Sequence, residues 1–301
     1  MKDHRKVWLN GELVPWENAS VPLLSHSFSR GSAFFEVIGV HVGPDGPAAF
    51  RLNEHLDRLM QSARLLGMTM AYGRDEIVAA VAQTAQANHL DRGLIKILAF
   101  WGEEAVINLV LDSKLDLAVF AIPAGEELVL DRVEPISACL SKWRKLHPET
   151  VPVEAKACAH YLNGYLARRD ANARGFDVGL MVGTDGFLAE GSIESVFLVK
   201  DNVLKTPPKG RILSGITRMS LLEAAPAVGI ATSEEALLPE ALFDADEIFI
   251  CHTGTKVSPV SRYEDRVLKA PGPASKKLML LMNDIINFRD DRFKCWFHPL
   301  R

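Results

Sequence analysis

The sequence predicts two mixed α/β domains, and three observations lead there. Helix-like and strand-like segments alternate through both halves of the 301 residues, with no repeat and no low-complexity stretch. A chain of this length can bury two cores. Its composition breaks between residues 123 and 133, where Pro123 is followed by the acidic pair Glu126-Glu127. Domains of residues 1–122 and 134–301 are therefore expected on either side of a 123–133 linker. Strand order within each domain is not readable.

Residues 6–14 read as two short strands around Asn10-Gly11, the strongest short hairpin signal. Strands follow in the segment Ser29 to Leu52, broken at Gly43 to Gly46. Asn53 is placed to cap a helix with the apolar face Leu56, Leu59, Met60, Ala63 and Leu66, and Gly67 to stop it. A second helix near Asp75 to His89 carries Ile77, Val78, Val81, Ala82 and Ala85 inward. LIKILAFWG and LDLAVFAIP complete the half as strands.

In the second half, DVGLMV and FLAEGSIESVFLV read as strands paired across Asp185-Gly186, and Asn202 turns the chain into VLKTPP. ILSGITRMSLLEAA opens a helix, and Pro226 predicts its kink or early end. The stretch from Ala241 to Val260 reads as a strand followed by a polar loop, and Ala274 to Phe288 as a terminal amphipathic helix. The aromatic tail from Asn287 is expected to dock on the body or on a partner subunit.

Composition excludes several classes. Hydrophobic residues make up 48% and charged residues 24%, values of a soluble globular protein. A net charge of −4 gives no general pull toward nucleic acid or an anionic membrane. No apolar run approaches the ~20 residues of a membrane span, and the basic start MKDHRKVWLNGE lacks the apolar core of a signal peptide. Cys139, Cys158, Cys251 and Cys295 are widely spaced, which fits a reducing compartment, hence the cytoplasm, better than a disulfide framework or a zinc site. His160 and His252 have no metal-ligand spacing to another candidate, so no metal is expected.

The chemistry is concentrated around VPVEAKACAHYLNGYLARRDANARG. Lys156 sits among Val153, Ala155, Ala157, Cys158 and Ala159, where a loop enters a helix marked by Leu162, Tyr165, Leu166 and Arg169. Small apolar neighbours disfavour an ammonium ion and leave a more nucleophilic amine, although many such lysines merely lay their stems on apolar surface. Ser214-Gly215-Ile216-Thr217 starts a helix whose free amides and hydroxyl suit a phosphate, but ordinary helix starts look alike. Thr253-Gly254-Thr255 offers further amides and hydroxyls, or a plain turn. Glu190 offers a carboxylate for a protonated ring nitrogen, or a solvated strand end. Arg58, four residues after Glu54, reads by itself as an exposed helical ion pair worth little. Together they supply an amine, phosphate grips and an acid for a heterocycle, the set a pyridoxal phosphate enzyme requires.

The ordered motifs carry a resemblance. Phe35-Glu36, Glu54 to Leu59, Trp143 with Pro148, Val151-Pro152, Ala155-Lys156, Tyr161 to Asn163, Leu188 to Gly191, Thr206 to Pro208, Leu213, Gly215 to Arg218, Ala245 to Glu247 and Pro259-Val260 lie in one register. In that register the chain resembles the class IV aminotransferases, pyridoxal phosphate enzymes of fold type IV, and most closely the branched-chain amino acid aminotransferases. The resemblance implies a D-amino acid aminotransferase-like fold, with a smaller N-terminal α/β domain and a larger C-terminal pseudo-barrel domain that carries the cofactor lysine. It implies a Schiff base and proton shuttle at Lys156, Glu190 on the pyridine nitrogen, Tyr161 on the ring hydroxyl and Leu213 on the ring face. Arg58, the amides of Ile216 and Thr217, and the hydroxyls of Thr217 and Thr253 would hold the phosphate. Gly254 and Thr255 amides would meet the substrate carboxylate, with Phe35 walling the side-chain pocket. A homodimer, in which a neighbour's loop completes the pocket, is implied as well.

The match has gaps. Ser195 stands where the family usually has asparagine, Lys96 where branched-chain enzymes carry arginine, and Arg30 where they carry an aromatic residue. Lysine loses the planar fork of arginine, so Lys96 and Arg30, both expected near the substrate, put side-chain specificity in question. The expected reaction is amino transfer from a branched-chain or similarly apolar L-amino acid to 2-oxoglutarate. The alternatives are a D-amino acid or (R)-amine aminotransferase, aminodeoxychorismate lyase chemistry, and a protein that binds the cofactor without catalysis.

Overall fold

A computed structural model describes residues 4–125, 130 and 134–301. The first elements in chain order are β1 (Lys6–Leu9), β2 (Glu12–Pro15), α1 (His26–Arg30), β3 (Phe34–Gly43), β4 (Gly46–Phe50), α2 (Leu52–Leu65), α3 (Arg74–Ala87), β5 (Gly93–Phe100) and β6 (Asp116–Pro123). Then come β7 (Ile136–Leu140), α4 (Tyr161–Ala173), β8 (Val178–Leu180), β9 (Ser195–Lys200), β10 (Val203–Thr206), α5 (Ile216–Ala224) and β11 (Ala231–Glu234). The chain ends with α6 (Ala241–Asp244), β12 (Glu247–His252), β13 (Thr255–Tyr263), β14 (Arg266–Val267), α7 (Pro273–Ile286) and β15 (Phe297–Pro299).

Backbone packing divides the chain into an N-terminal unit of residues 1–129, 155–159 and 285–301 and a C-terminal unit of residues 130–154 and 160–284. The two units are nearly equal in length. Most of the expected 123–133 linker lies outside the described residues, although Pro123 still belongs to β6. The lysine segment and the tail, placed by sequence with the second domain, belong to the first unit. The reason is local: Phe35 N–H donates to the Lys156 carbonyl at 3.1 Å, and Cys158 N–H donates to the Ala33 carbonyl at 2.7 Å.

In the N-terminal unit, seven antiparallel strands run in the order β15-β4-β3-β5-β6-β1-β2. Asn10 and Gly11 both take positive φ, as a two-residue hairpin loop between twisted strands requires. One sheet face packs on α2 and α3, burying Phe34, Ile38, Leu56, Leu59, Ile77, Val81, Ile95 and Ile97. Because side chains alternate along a strand, Phe35 and Lys96 point to the other face and stay partly exposed. The cap of α2 is not Asn53. The helix starts two residues earlier, at Leu52 after Arg51, whose left-handed φ of 54° leaves Asn53 inside the first turn. Arg51 is held there by the tail, donating its N–H to the Trp296 carbonyl at 2.6 Å and stacking its guanidinium 3.7 Å from the Trp296 ring centroid. The tail thus docks as an edge strand, β15 on β4, which its mixed polar and aromatic pattern did not announce.

In the C-terminal unit, the strand path is β11-β10-β9-β12-β13-β7-β8, with β14 on β13. The pairs β10–β11, β13–β7 and β7–β8 are parallel and the rest antiparallel, so the sheet is mixed. Its buried side chains include Val196, Leu198, Leu237, Leu242, Ile248, Ile250, Val260 and Tyr263. The expected polar loop after β12 is instead the strand β13, joined through Thr253-Gly254. Its burial from Lys256 to Val260 outweighs the hydroxyls and Pro259 that read as loop. The long strand expected across Phe187 to Val199 forms only from Ser195 onward, as β9, and before it Leu188 makes an isolated bridge with Val182. Helix α5 ends at Ala224, and Pro226 lies in the 3₁₀ turn that follows.

Helix α4 also packs differently from its sequence stripe. Leu162 and Tyr165 are exposed, and the buried line is Gly164, Ala167 and Ala171. A Cβ on Gly164 would lie 2.0 Å from the Ser192 carbonyl oxygen, so only glycine lets the helix approach the 190–195 loop this closely.

Candidate active site

In the N-terminal unit the site is built on β3, α2 and the lysine segment. The Lys156 N–H donates to Ser62 Oγ at 3.0 Å, and Ser62 Oγ in turn donates to the Arg58 carbonyl at 2.9 Å. The Lys156 carbonyl accepts from Phe35, and Phe34 and Ala157 form an isolated bridge. The lysine backbone is therefore fixed to both the strand and the helix. Its Nζ lies 4.9 Å from the Phe35 ring centroid, and Lys96 Nζ lies 5.1 Å from the same ring. Two ammonium groups and one aromatic wall are thus gathered on the partly exposed sheet face. Close by, burial raises the Cys158 thiol pKa against the pull of Lys96 and Lys156, which leaves the thiol protonated.

Arg58 is not the exposed partner of Glu54 that helical spacing suggested. It is buried, with Nε and one terminal nitrogen each 2.7 Å from a Glu36 oxygen, while Arg51 pairs with Glu54 at 2.6 Å. Glu36 also lies 2.6 Å from His55 Nδ1. Burial alone would raise the Glu36 pKa, but the Arg58 charge and the hydrogen bonds from Arg58 and His55 outweigh it and bring it to about 2. Burial lowers the His55 pKa, partly offset by Glu36, so its ring is neutral. Glu36, His55 and Ser62 hold Arg58 and Lys156 in place, and sequence reading gave none of them a role. A signal was available: Glu36 occupies an inward position of a largely apolar strand, where a charge must have a partner.

Arg30 ends α1 and is spent on a neighbouring loop. Its two terminal nitrogens donate to the carbonyls of Ala105 at 2.5 Å and Val106 at 2.9 Å. His26 Nε2 lies 2.9 Å from the Leu109 carbonyl of the same loop. What the structure shows of Arg30 is a loop clamp.

In the C-terminal unit, Glu190 sits between the Leu188 bridge and the start of β9. Its backbone is pinned because Met181 N–H donates to the Glu190 carbonyl at 2.9 Å. Its Oε1 lies 2.5 Å from Lys145 Nζ, and its Oε2 accepts from the Leu213 N–H at 3.3 Å. The next turn is locked by Glu194, which binds the Ile193 amide at 2.9 Å and pairs with Arg168. Tyr161 opens α4, directly after the 3₁₀ turn Cys158–His160.

Helix α5 begins at Ile216, and its first intrahelical bond runs from Met219 to the Gly215 carbonyl at 2.9 Å. The amides of Ile216 and Thr217 precede that bond, and Gly215 supplies no side-chain cap for them. A Cβ at residue 215 would come within 2.7 Å of Ser195 Oγ, so Ser195 packs beneath the head of the helix. Arg218, fully buried, ties that head to the Pro207 carbonyl at 2.7 Å and to Glu234. Of the residues around Gly254, the Gly254 amide donates to His252 Nδ1 at 3.1 Å, and the Thr253 carbonyl accepts from Lys256 at 2.5 Å. The Gly254 amide, expected to meet a carboxylate, is thus turned toward its own hairpin, and Thr255 pairs with His252 across it.

These residues fit a pyridoxal phosphate group. A buried carboxylate stands ready for a ring nitrogen, and a helix of nine residues presents amides with no side-chain cap of their own, a setting that suits a phosphate. Among the described residues no cluster of three or more metal-ligating side chains occurs, and no helix is long and apolar enough to cross a membrane.

Known proteins place this arrangement. The family described as Amino-transferase class IV matches residues 33–263. The branched-chain-amino-acid aminotransferase of Escherichia coli K12 is 35% identical over 257 residues, covering 84% of this chain and 83% of the relative. The crystal structure of the branched-chain aminotransferase of Thermoproteus uzoniensis with norvaline superposes with a TM-score of 0.93 at 34% identity, over 99% of each chain. The crystal structure of the T.th. branched-chain amino acid aminotransferase, complexed with N-(5'-phosphopyridoxyl)-L-glutamate, gives 0.92 at 29% identity over the whole of both chains. A family match over most of the length, with relatives above 30% identity, shows that this chain belongs to the class IV aminotransferases.

Proposed function

We propose that this aminotransferase uses pyridoxal 5'-phosphate to move the amino group of a branched-chain or similarly apolar L-amino acid to 2-oxoglutarate. The observation that carries the reading is Glu190, a buried carboxylate pinned by backbone and side-chain bonds, because an ionised acid so held suits a protonated pyridine nitrogen. When bound, the cofactor supplies an aldehyde for the amino group and a ring that accepts electrons from the substrate Cα. Lys156 would offer its amine to that aldehyde, and its Nζ would hold and move the proton at the substrate Cα. Tyr161 orients the ring hydroxyl and Leu213 covers a ring face. The amides of Ile216 and Thr217, the hydroxyls of Thr217 and Thr253, and Arg58 hold the phosphate.

The glutamate conjugate of the T.th. relative and the norvaline complex of the Thermoproteus relative support an acidic and an apolar partner in turn. For the apolar side chain, Phe35 forms the wall. Lys96 on the same sheet face receives the second carboxylate of the acidic partner. The Gly254–Thr255 turn lies at the α-carboxylate, and the Gly254 amide must leave His252 Nδ1 to bind it. Arg30 acts on the pocket by fixing its loop, which leaves Lys96 as the motive for the relocated carboxylate grip of a D-amino acid enzyme.

Spectral conversion of the cofactor by single amino donors tests the reading. L-Leucine, but neither D-alanine nor an (R)-amine, should convert the cofactor-loaded protein fully to its aminated form, and 2-oxoglutarate should reverse it. Conversion by the D-donor alone would overturn the substrate assignment. Pyruvate and 4-aminobenzoate release from aminodeoxychorismate would replace amino transfer by lyase chemistry.

The same chain is proposed to work as a homodimer. Val106, Ile107, Leu109 and Val110 are 72–88% exposed on the loop that Arg30 and His26 clamp. Four apolar side chains on a braced loop favour burial against a second copy. Sedimentation at micromolar concentration should return a dimer, and Ile107→Asp with Val110→Asp should shift it toward monomer. A wild-type monomer would contradict this. All four cysteines are free, which supports work in the cytoplasm.

A further inference from the structure

Lys145 is a residue to which the amino-transfer chemistry gives no part, yet its ammonium makes the closest contact to the acid of the site. Its Nζ lies 2.5 Å from Glu190 Oε1, and both side chains are about nine-tenths buried, at 9% and 11% exposure. The pairing is built into the backbone. Lys145 N–H donates to the Val182 carbonyl at 3.0 Å, while the adjacent Met181 exchanges bonds with Ala189 and Glu190 at 2.9 Å each. Lysine and glutamate therefore issue from two segments fastened to the same dipeptide, so their approach is fixed before either side chain chooses a rotamer.

The two carboxylate oxygens have separate surroundings. Oε1 belongs to Lys145, and among the described residues Oε2 has the long 3.3 Å bond from the Leu213 amide. A carboxylate removed from water without a counter-charge is driven toward its neutral form, which donates a proton instead of accepting one. A lysine on one oxygen prevents that and aims the other oxygen outward.

We propose that Lys145 is a positioning residue for the cofactor. Its ammonium keeps Glu190 ionised and directs Oε2 to accept the N–H of the pyridine ring. The inference rests on the cofactor assignment given above and goes beyond it by naming the group that makes Glu190 effective. It predicts that charge at position 145, more than shape, governs the protonation of a ring that Lys145 does not itself touch.

The test uses the holoenzyme reconstituted with ¹⁵N-labelled pyridoxal phosphate, in wild type, Lys145→Met and Lys145→Arg. Three readouts are compared: the ¹⁵N shift of the ring nitrogen, the dissociation constant of the cofactor, and kcat and KM for L-leucine. Lys145→Met should move the ring nitrogen toward its unprotonated shift, weaken cofactor binding about tenfold or more, and lower kcat about tenfold to a hundredfold with KM little changed. Lys145→Arg should return the shift to the wild-type value. Should Lys145→Met fail to fold, Lys145→Gln carries the same expectation. A ring nitrogen that stays protonated in the neutral variants, with cofactor affinity within twofold of wild type, overturns the role of Lys145 and leaves the cofactor assignment standing. An arginine variant as impaired as the methionine one also overturns it, since shape would then matter and charge would not. Wild-type protein that binds no pyridoxal phosphate overturns both.

Discussion

Lys156→Ala should lower turnover by about ten-thousandfold or more while leaving the fold intact, because the residue joins a covalent and a proton-transfer role in one amine. The fold should survive for a local reason. The Lys156 contacts that fasten the segment are made by its backbone: the N–H to Ser62, the carbonyl to Phe35, and the flanking bond from Cys158 to Ala33. Alanine keeps all of them. It removes an ammonium from beside the Phe35 ring and leaves Lys96 on the same face, 5.1 Å from the ring centroid. Lys96 springs from a different strand, opposite Val37 and Phe120, so it cannot inherit the position. Stopped-flow spectra with L-leucine and thermal unfolding of the same preparations give the two halves of the result. Turnover within tenfold of wild type, with unchanged unfolding, would remove Lys156 from the mechanism.

What could be read in the chain beforehand follows a physical division. Short-range signals carried well. Asn10-Gly11 marks its hairpin because both residues accept positive φ, and Pro226 ends α5 because it cannot continue the hydrogen-bond ladder. The motifs around Lys156, Glu190 and Gly215 were legible for a related reason, since each lies at the junction of a loop with a helix or strand.

Long-range partners were not legible. Arg58 and Glu54 obey helical spacing, yet Arg58 pairs with Glu36, 22 residues away on a strand. The Gly164 line of α4 was hidden for a different reason. Hydrophobicity patterns favour large side chains, whereas close backbone approach selects small ones, and here the larger Leu162 and Tyr165 face outward. Arg51 could not be read as a helix boundary because its left-handed backbone is held by Trp296, at the far end of the chain. Lys145 is the same kind of case: no spacing rule joins it to Glu190, and a ribbon through Met181 and Val182 does.

Glu36→Gln should cost on the order of 3 kcal/mol at pH 7, read from the shift of its carboxylate from 4.5 to about 2. The folded state holds this group ionised far below its unfolded pKa. Its stabilisation is therefore complete above about 4.5 and is lost progressively as the pH falls toward 2. His55 acts in the same direction from a higher starting point. Burial depresses its folded pKa below 6.5, so the unfolded chain gains a proton that the folded chain refuses, and stability begins to fall once the pH drops below 6.5. Glutamine keeps the shape and one acceptor but removes the charge that both Arg58 and His55 face at 2.6–2.7 Å. The guanidinium is then buried without its counter-ion, the situation in which truncating one partner of a buried pair is most damaging. Urea unfolding of wild type and variant between pH 7 and pH 3 separates this group from every other carboxylate, because only the difference between the two curves is used. That difference should be largest at neutral pH and shrink steadily below 4.5. Parallel curves would mean that Glu36 is no ionised anchor, and the placement of Arg58 at the phosphate would lose its support as well.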